Sequence, residues 1–233
     1  MGEAPAYWDP LPVVQESTGL TVPVEGSTSP GSTIVLPSAQ EYMCGRWVDQ
    51  NWRNVPGPFY GALTDNCWTG RLIAPAHILY DDEDHSREFV FRQPRTEAEV
   101  RRVLRAAVTD PYGGYAFDGD AHWTTETVRT WWGDRGRLLE WISQATTCWT
   151  SSDREDEREV VVGLRAYKLY IETDLADHLR GYLFWLDQRR SPLANETLPD
   201  VTRRGAKRTT ALRRGHIAIR ASVPQEKGWR LTR

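Results

Sequence analysis

Lysine, cysteine and long apolar runs are what this chain has least of. The basic residues are 26 Arg against three Lys (Lys168, Lys207 and Lys227), and there are only four Asn in 233 residues. That skew reads as GC-rich coding, so a lone Arg is not by itself a phosphate or carboxylate clamp, although guanidinium is the better group where a clamp exists. Three cysteines, Cys44, Cys67 and Cys148, are odd in number and widely spaced. They exclude a full disulfide framework, a Cys-x-x-Cys clip and four-thiolate iron–sulfur ligation, and buried reduced thiols are expected. No apolar run approaches the roughly 20 residues of a membrane span. Met1–Pro5 shows neither the basic nor the apolar part of a secretory signal, so no membrane partner and a cytoplasmic location are expected. There is no Gly-Lys-Ser/Thr phosphate loop, no Gly-x-Gly-x-x-Gly after a strand and no Gly-x-Ser-x-Gly elbow, which disfavours nucleotide-driven chemistry and serine hydrolysis.

Tryptophan is abundant instead, at 11 residues with 9 Tyr and 5 Phe. Its large area and its N–H suit both cores and binding hot spots. Charge is also uneven. The stretch 203–233 carries ten Lys/Arg and a single acid, Glu226, whereas the remaining 202 residues are net acidic. Sign asymmetry of this kind marks an interaction surface.

Three regions follow from composition: an irregular Pro/Gly/Ser-rich arm over 1–40, one α+β domain over 41–200, and a basic segment over 201–233 with a last strand at 216–223. Short edge strands are expected at Leu20–Val24 and Thr33–Leu36, a strand around Arg71–Tyr80, and a hairpin over 76–93. Thr96 and Glu99 form a capping-box pattern ahead of Val100, Val103, Leu104 and Ala107, an apolar helical face. Val128, Trp131, Trp132, Leu138, Leu139 and Ile142 lie on one helical stripe despite Gly133 and Gly136. A second stripe runs from Val160 to Leu186 over seven turns. The expected fold class is α+β, a small antiparallel sheet drawn mainly from 30–93 plus a C-terminal strand, packed against helices from 96–190.

The sharpest polar constellation is Asp118-Gly-Asp-Ala-His122. In an extended or looped segment, Asp118, Asp120 and His122 point to one side. With His77 brought near, they would suit a divalent metal and a metal-assisted hydrolase, or acid–base work. Cys67 and His77 allow a thiol–imidazole pair to be drawn, without the surroundings such nucleophiles have in known enzymes. Asp82 and Asp84 sit in an acidic hairpin tip that would meet a basic partner. Arg203, Arg204, Lys207, Arg208, Arg213 and Arg214 could neutralise phosphates in salt-sensitive nucleic-acid binding.

The stretches Trp52–Gly61, Phe89–Pro94 and Gly114–Trp123 resemble a group of actinomycete proteins that carries no assigned activity. The resemblance implies a source and no mechanism. The leading expectation is therefore a non-catalytic module that binds another protein, of the immunity or inhibitor type, through acidic loops (Asp82, Asp84) and aromatics (Trp68, Trp123, Trp132), with no cofactor. The metal-assisted enzyme at Asp118, Asp120 and His122 is the alternative, and nucleic-acid binding through the basic segment is the second.

Overall fold

The computed structural model describes residues 7–23, 31–65, 67–81 and 87–202. The chain begins with a short helix α1 (Leu11–Glu16), strands β1 (Thr21–Pro23) and β2 (Thr33–Val35), and one helical turn α2 (Ala39–Tyr42). Strand β3 (Tyr60–Gly61), helix α3 (Thr69–Ile73) and strands β4 (Ile78–Tyr80) and β5 (Glu88–Val90) follow. Helix α4 (Glu97–Thr109) and strand β6 (Tyr115–Ala116) then lead into four helices, α5 (Thr125–Gly133), α6 (Arg135–Thr150), α7 (Glu155–Glu172) and α8 (Leu175–Gln188).

The class is α+β, with all described strands antiparallel. They form three separate pairs, β1–β2, β3–β6 and β4–β5, instead of one sheet. Strands β1 and β2 fall within the short edge strands expected at Leu20–Val24 and Thr33–Leu36, whereas β6 lies outside 30–93. The strand expected at 216–223 lies outside the described residues. The Pro/Gly/Ser-rich arm is irregular only in part, since Val13 and Val14 of α1 are buried against the α4 side of the core.

The β4–β5 hairpin is a wall between two cores. Ile78 pairs with Val90, and both face the cluster made by Val100, Val103, Leu104 and Ala107 of α4 with Phe59 and Tyr115. Their neighbours Leu79 and Phe89 also pair, and point the other way into the aromatic cluster of α5–α8. Period-two alternation puts successive side chains on opposite faces, so a three-residue strand serves both cores. The expected strand at Arg71–Tyr80 is realised only from Ile78. Arg71–Ile73 is helical, and the chain between them contains Pro75, which cannot donate to a ladder.

Helix α4 starts as expected: Thr96 accepts from the Glu99 backbone N–H at 3.3 Å. The Glu99 carboxylate, however, accepts from Arg95 N–H instead of closing the box on Thr96. The two long stripes are each broken. The first divides at Asp134, between Gly133 and Arg135, and the second at Thr173–Asp174. In both cases the apolar face stays in phase across the break, so periodicity alone does not register it. The β-branched run Val160–Val162 is helical, carried by a stripe that buries Val160, Leu164, Tyr167 and Ile171.

Polar side chains replace missing ladder bonds. Asn54 Oδ1 accepts from Gly61 N–H at 2.9 Å and Val90 N–H at 2.8 Å, while its Nδ2 donates to Asn51 O and Gly61 O. One buried amide thus joins β3 to β5 with every donor and acceptor site used. Glu88 does similar work for α3. Trp68, ahead of that helix, is left-handed (φ 57°) and offers no cap. The Glu88 carboxylate instead accepts from Gly70 and Arg71 N–H and from the Tyr115 hydroxyl at 2.7 Å. Burial pushes its carboxyl up to about 7, against the lowering effect of those hydrogen bonds.

Candidate functional site

The Asp118–His122 segment is not extended. It winds through a 3₁₀ turn at Gly119–Ala121, held by Gly119 N–H donating to Pro58 O at 3.0 Å. A Cβ on Gly119 would stand 2.2 Å from Gly57 O, so only glycine permits the approach. Three residues per turn send Asp118 and Asp120 in different directions. Asp118 and His122 meet on the surface, His122 Nε2 lying 3.1 Å from Asp118 Oδ2. The Tyr60 hydroxyl donates to Asp118 Oδ1 at 2.8 Å, and the His122 imidazole stacks on Trp47 at 4.8 Å between ring centres. Burial, and then the carboxylate of Asp118, push the Tyr60 phenol up, which keeps it a donor.

Asp120 turns inward. Its carboxylate accepts from the Tyr182 hydroxyl at 2.6 Å and from Trp185 Nε1 at 3.3 Å, and burial raises its carboxyl above the ordinary range. His77 is elsewhere, buried with Nδ1 3.0 Å from Arg92 O, and desolvation lowers its imidazole. The four groups expected to converge therefore do not: only Asp118 and His122 meet. Among the described residues no three His, Cys, Asp or Glu side chains are grouped to hold a metal ion. A groove of about 340 Å³ borders Asp118, lined by Gln40, Met43, Cys44, Gly45, Ala116 and Phe117.

The cysteines correct a further expectation. All three are exposed, Cys44 with its thiol 3.5 Å from Gln40 O. Cys67 and the buried His77 make no pair. Each thiol sits on a solvent face of its segment, where burial habit has no hold.

Among the aromatics expected to bind, Trp123 and Trp132 are each 8% exposed and belong to the aromatic core. Trp68 is half-buried, stacked on Tyr80 at 4.6 Å with the Arg154 guanidinium over its ring at 4.8 Å. Asp82 and Asp84 lie outside the described residues, as do Arg203, Arg204, Lys207, Arg208, Arg213 and Arg214.

A second groove, of about 360 Å³, opens where α5 meets α6. It is lined by Trp52, Trp131, Gly133, Asp134, Arg135, Gly136, Arg137 and Leu138. Guanidiniums and rings alternate behind it. Arg137 lies 3.9 Å over the Trp52 ring, Arg53 lies 4.5 Å from the same ring, and Arg53 also lies 4.5 Å over Trp141. Arg53 is itself buried and paired with the buried Asp81 at 3.3 Å. Trp131 Nε1 donates to Trp52 O at 3.4 Å, which ties α5 to the Trp52 loop. Arg135 covers the ring of Trp132 at 4.1 Å and donates to its carbonyl at 2.8 Å. The arginine bias thus has a structural use, because ring stacking gives guanidiniums fixed positions without carboxylates.

Sequence reasoning passed over this groove. Its available signal was the pair Gly133 and Gly136 inside an apolar helical stripe, where glycine is unfavourable by about 1 kcal/mol each relative to Ala. Neither has any atom within 4 Å of where a Cβ would stand, and neither takes a positive φ. Packing therefore does not demand glycine at either position.

No protein-family model, curated protein or solved structure matches the chain. Among the described residues no helix is long and apolar enough to cross a membrane.

Proposed function

We propose that this chain is a non-catalytic protein-binding module, of the immunity or inhibitor type, and that the α5–α6 groove is its contact surface. The observation that carries the reading is the groove itself. It sets flat aromatic area from Trp52 and Trp131 beside two arginines, with bare backbone at Gly133 and Gly136 between them. Trp and Arg are the residues that dominate binding energy at protein interfaces, and a partner can approach glycine backbone where no side chain stands off. The scattered placement of Asp118, Asp120, His122 and His77 removes the main support for the metal-assisted alternative.

The test is affinity capture from native extract with the intact protein and with a Gly136→Phe variant, which fills the groove from a position with free space. A partner retained at low salt by the native chain and lost by the variant supports the reading. Equal retention by both, or no retained partner, contradicts it.

A second reading keeps one specific observation. Asp118, oriented by Tyr60, holds a His122 imidazole that is flat against Trp47 beside the 340 Å³ groove, an arrangement suited to proton transfer. Stoichiometric Zn, Mn or Fe in protein purified without a nickel column, lost in His122→Ala, would favour the metal-assisted form of that chemistry.

A further inference from the structure

The charges of the α5–α6 groove say more than that it binds. The Arg137 guanidinium carbon lies 3.9 Å over the Trp52 ring, and that of Arg135 lies 4.1 Å over the Trp132 ring. A guanidinium held over a ring by its charge spends no N–H donor on that contact, and its remaining donors can match a carboxylate bidentately. Arg135 spends one donor on the Trp132 carbonyl, and neither arginine forms an ion pair among the described residues. The cations are thus in fixed positions before any ligand arrives, which lowers the ordering cost of binding. The same groove is lined by the rings of Trp52 and Trp131 and by the backbone of Gly133 and Gly136.

We propose that the groove takes an acidic segment of a partner protein, with carboxylates on Arg135 and Arg137 and an apolar side chain laid against Trp131; this rests on the protein-binding reading above. Charge complementarity selects the acid. The two arginines outnumber the single lining carboxylate, Asp134. Two cations are too few for a nucleic acid, whose continuous phosphates need a longer run of them. Aromatic or aliphatic residues in the same segment would cover Trp131, a half-buried ring that lines the groove.

The glycines belong to the same argument. A Cβ at Gly133 or Gly136 would have nothing within 4 Å, and at Gly136 it would improve the helix. What it would meet is an occupant. Two glycines at adjoining helix ends, both lining one groove and neither required by backbone conformation, are explained by a second chain passing close to the backbone there.

Fluorescence anisotropy with a short labelled peptide repeating Asp-Phe-Glu tests the inference, against a control repeating Asn-Phe-Gln and a labelled oligothymidylate. The acidic peptide is expected to bind the intact protein and to weaken with added salt. It should lose about tenfold or more in affinity in the Arg135→Glu/Arg137→Glu variant, and bind Gly136→Phe no better. Equal binding of the Asn-Phe-Gln control, unchanged by the charge reversal yet blocked by Gly136→Phe, overturns the acidic partner while leaving the groove as a binding surface. Absence of binding by either peptide, or binding that Gly136→Phe leaves intact, overturns the occupant together with the groove. Preferential binding of the oligothymidylate replaces the protein partner with a nucleic acid. Far-ultraviolet circular dichroism of each variant confirms that it is folded. Sedimentation of the intact protein separates a second copy, whose α7 begins with Glu155, Asp156 and Glu157, from a foreign partner. A dimer dissolved by Arg135→Glu/Arg137→Glu would make the acidic segment this chain's own and overturn the foreign one.

Discussion

Arg137 on α6 lies 3.9 Å over the ring of Trp52, a residue 85 positions earlier, and that contact forms one wall of the α5–α6 groove. Arg53 shares the same ring at 4.5 Å. The groove wall is therefore connected through stacked groups to the buried Arg53–Asp81 pair. A double-mutant cycle over Arg137→Ala and Trp52→Ala is expected to return a coupling of about 0.5–1 kcal/mol, the range of partly exposed cation–π contacts. Denaturant unfolding of the four proteins measures it, and strictly additive effects would mean that the two side chains do not hold each other.

The Arg53–Asp81 pair predicts a much larger effect. Asp81 accepts from Asn51 Nδ2 at 2.7 Å and meets Arg53 Nη1 at 3.3 Å in the interior, and accepts from the partly buried Arg87 N–H at 3.1 Å. Asp81→Ala removes a buried carboxylate that is ion-paired with Arg53 and accepts from Asn51 and Arg87, and breaking a buried pair from one side costs about 3–5 kcal/mol. Arg53→Met strands the buried Asp81 carboxylate in the same way and should cost a comparable amount, whereas Arg53→Met combined with Asp81→Asn removes both charges and should cost distinctly less than the sum of the single changes. Urea midpoints of the single and double variants decide, and strictly additive losses would assign the effect to packing.

Gly136 is expected to be a position where stability and binding oppose each other. With no atom within 4 Å of its Cβ position, Gly136→Ala should stabilise the fold by about 0.5–1 kcal/mol through helix propensity. Thermal unfolding checks the gain, and a loss would show that the helix start needs glycine after all.

Two buried groups set opposite pH slopes. Burial raises Glu88 from its ordinary 4.5 to about 7. The folded state therefore holds a proton that the unfolded chain releases, and stability falls as pH rises from about 4.5 to 7, by on the order of 3 kcal/mol. Burial, and then the charge of Arg95, lower His178 from 6.5 to about 3, with a hydrogen bond to the Pro56 backbone acting in opposition. The unfolded chain takes up a proton that the native imidazole refuses, so stability falls as pH drops from about 6.5 to 3. Between 4.5 and 6.5 the two slopes offset each other. Glu88→Gln removes one of them, so stability measured by urea unfolding should climb relative to the native protein between pH 5 and 7. Parallel profiles would contradict the assignment.

Local rules made α4 legible: Thr96 caps it, its apolar face has the right period, and Asp110-Pro111 ends it. The hairpin around Ile78 and Val90 was legible for the same reason. The breaks at Asp134 and Thr173–Asp174 were hidden because the apolar stripe crosses each without losing phase. The Asp118–His122 motif misled because a 3₁₀ turn, held by Pro58 O, rotates Asp120 toward Tyr182 and Trp185. Tryptophan counts could not separate Trp132, which is buried, from its neighbour Trp131, which lines the groove. Contacts such as Arg137 on Trp52, or Glu88 on the N-terminus of α3, join residues distant in sequence, and no local pattern encodes them.

Hydrogen–deuterium exchange of the intact protein, alone and with a partner captured at low salt, tests the central claim most directly. Binding at the α5–α6 groove predicts added protection over residues 131–138 and around Trp52, absent in Gly136→Phe. Protection confined to the Asp118–His122 turn, or none at 131–138, would contradict it.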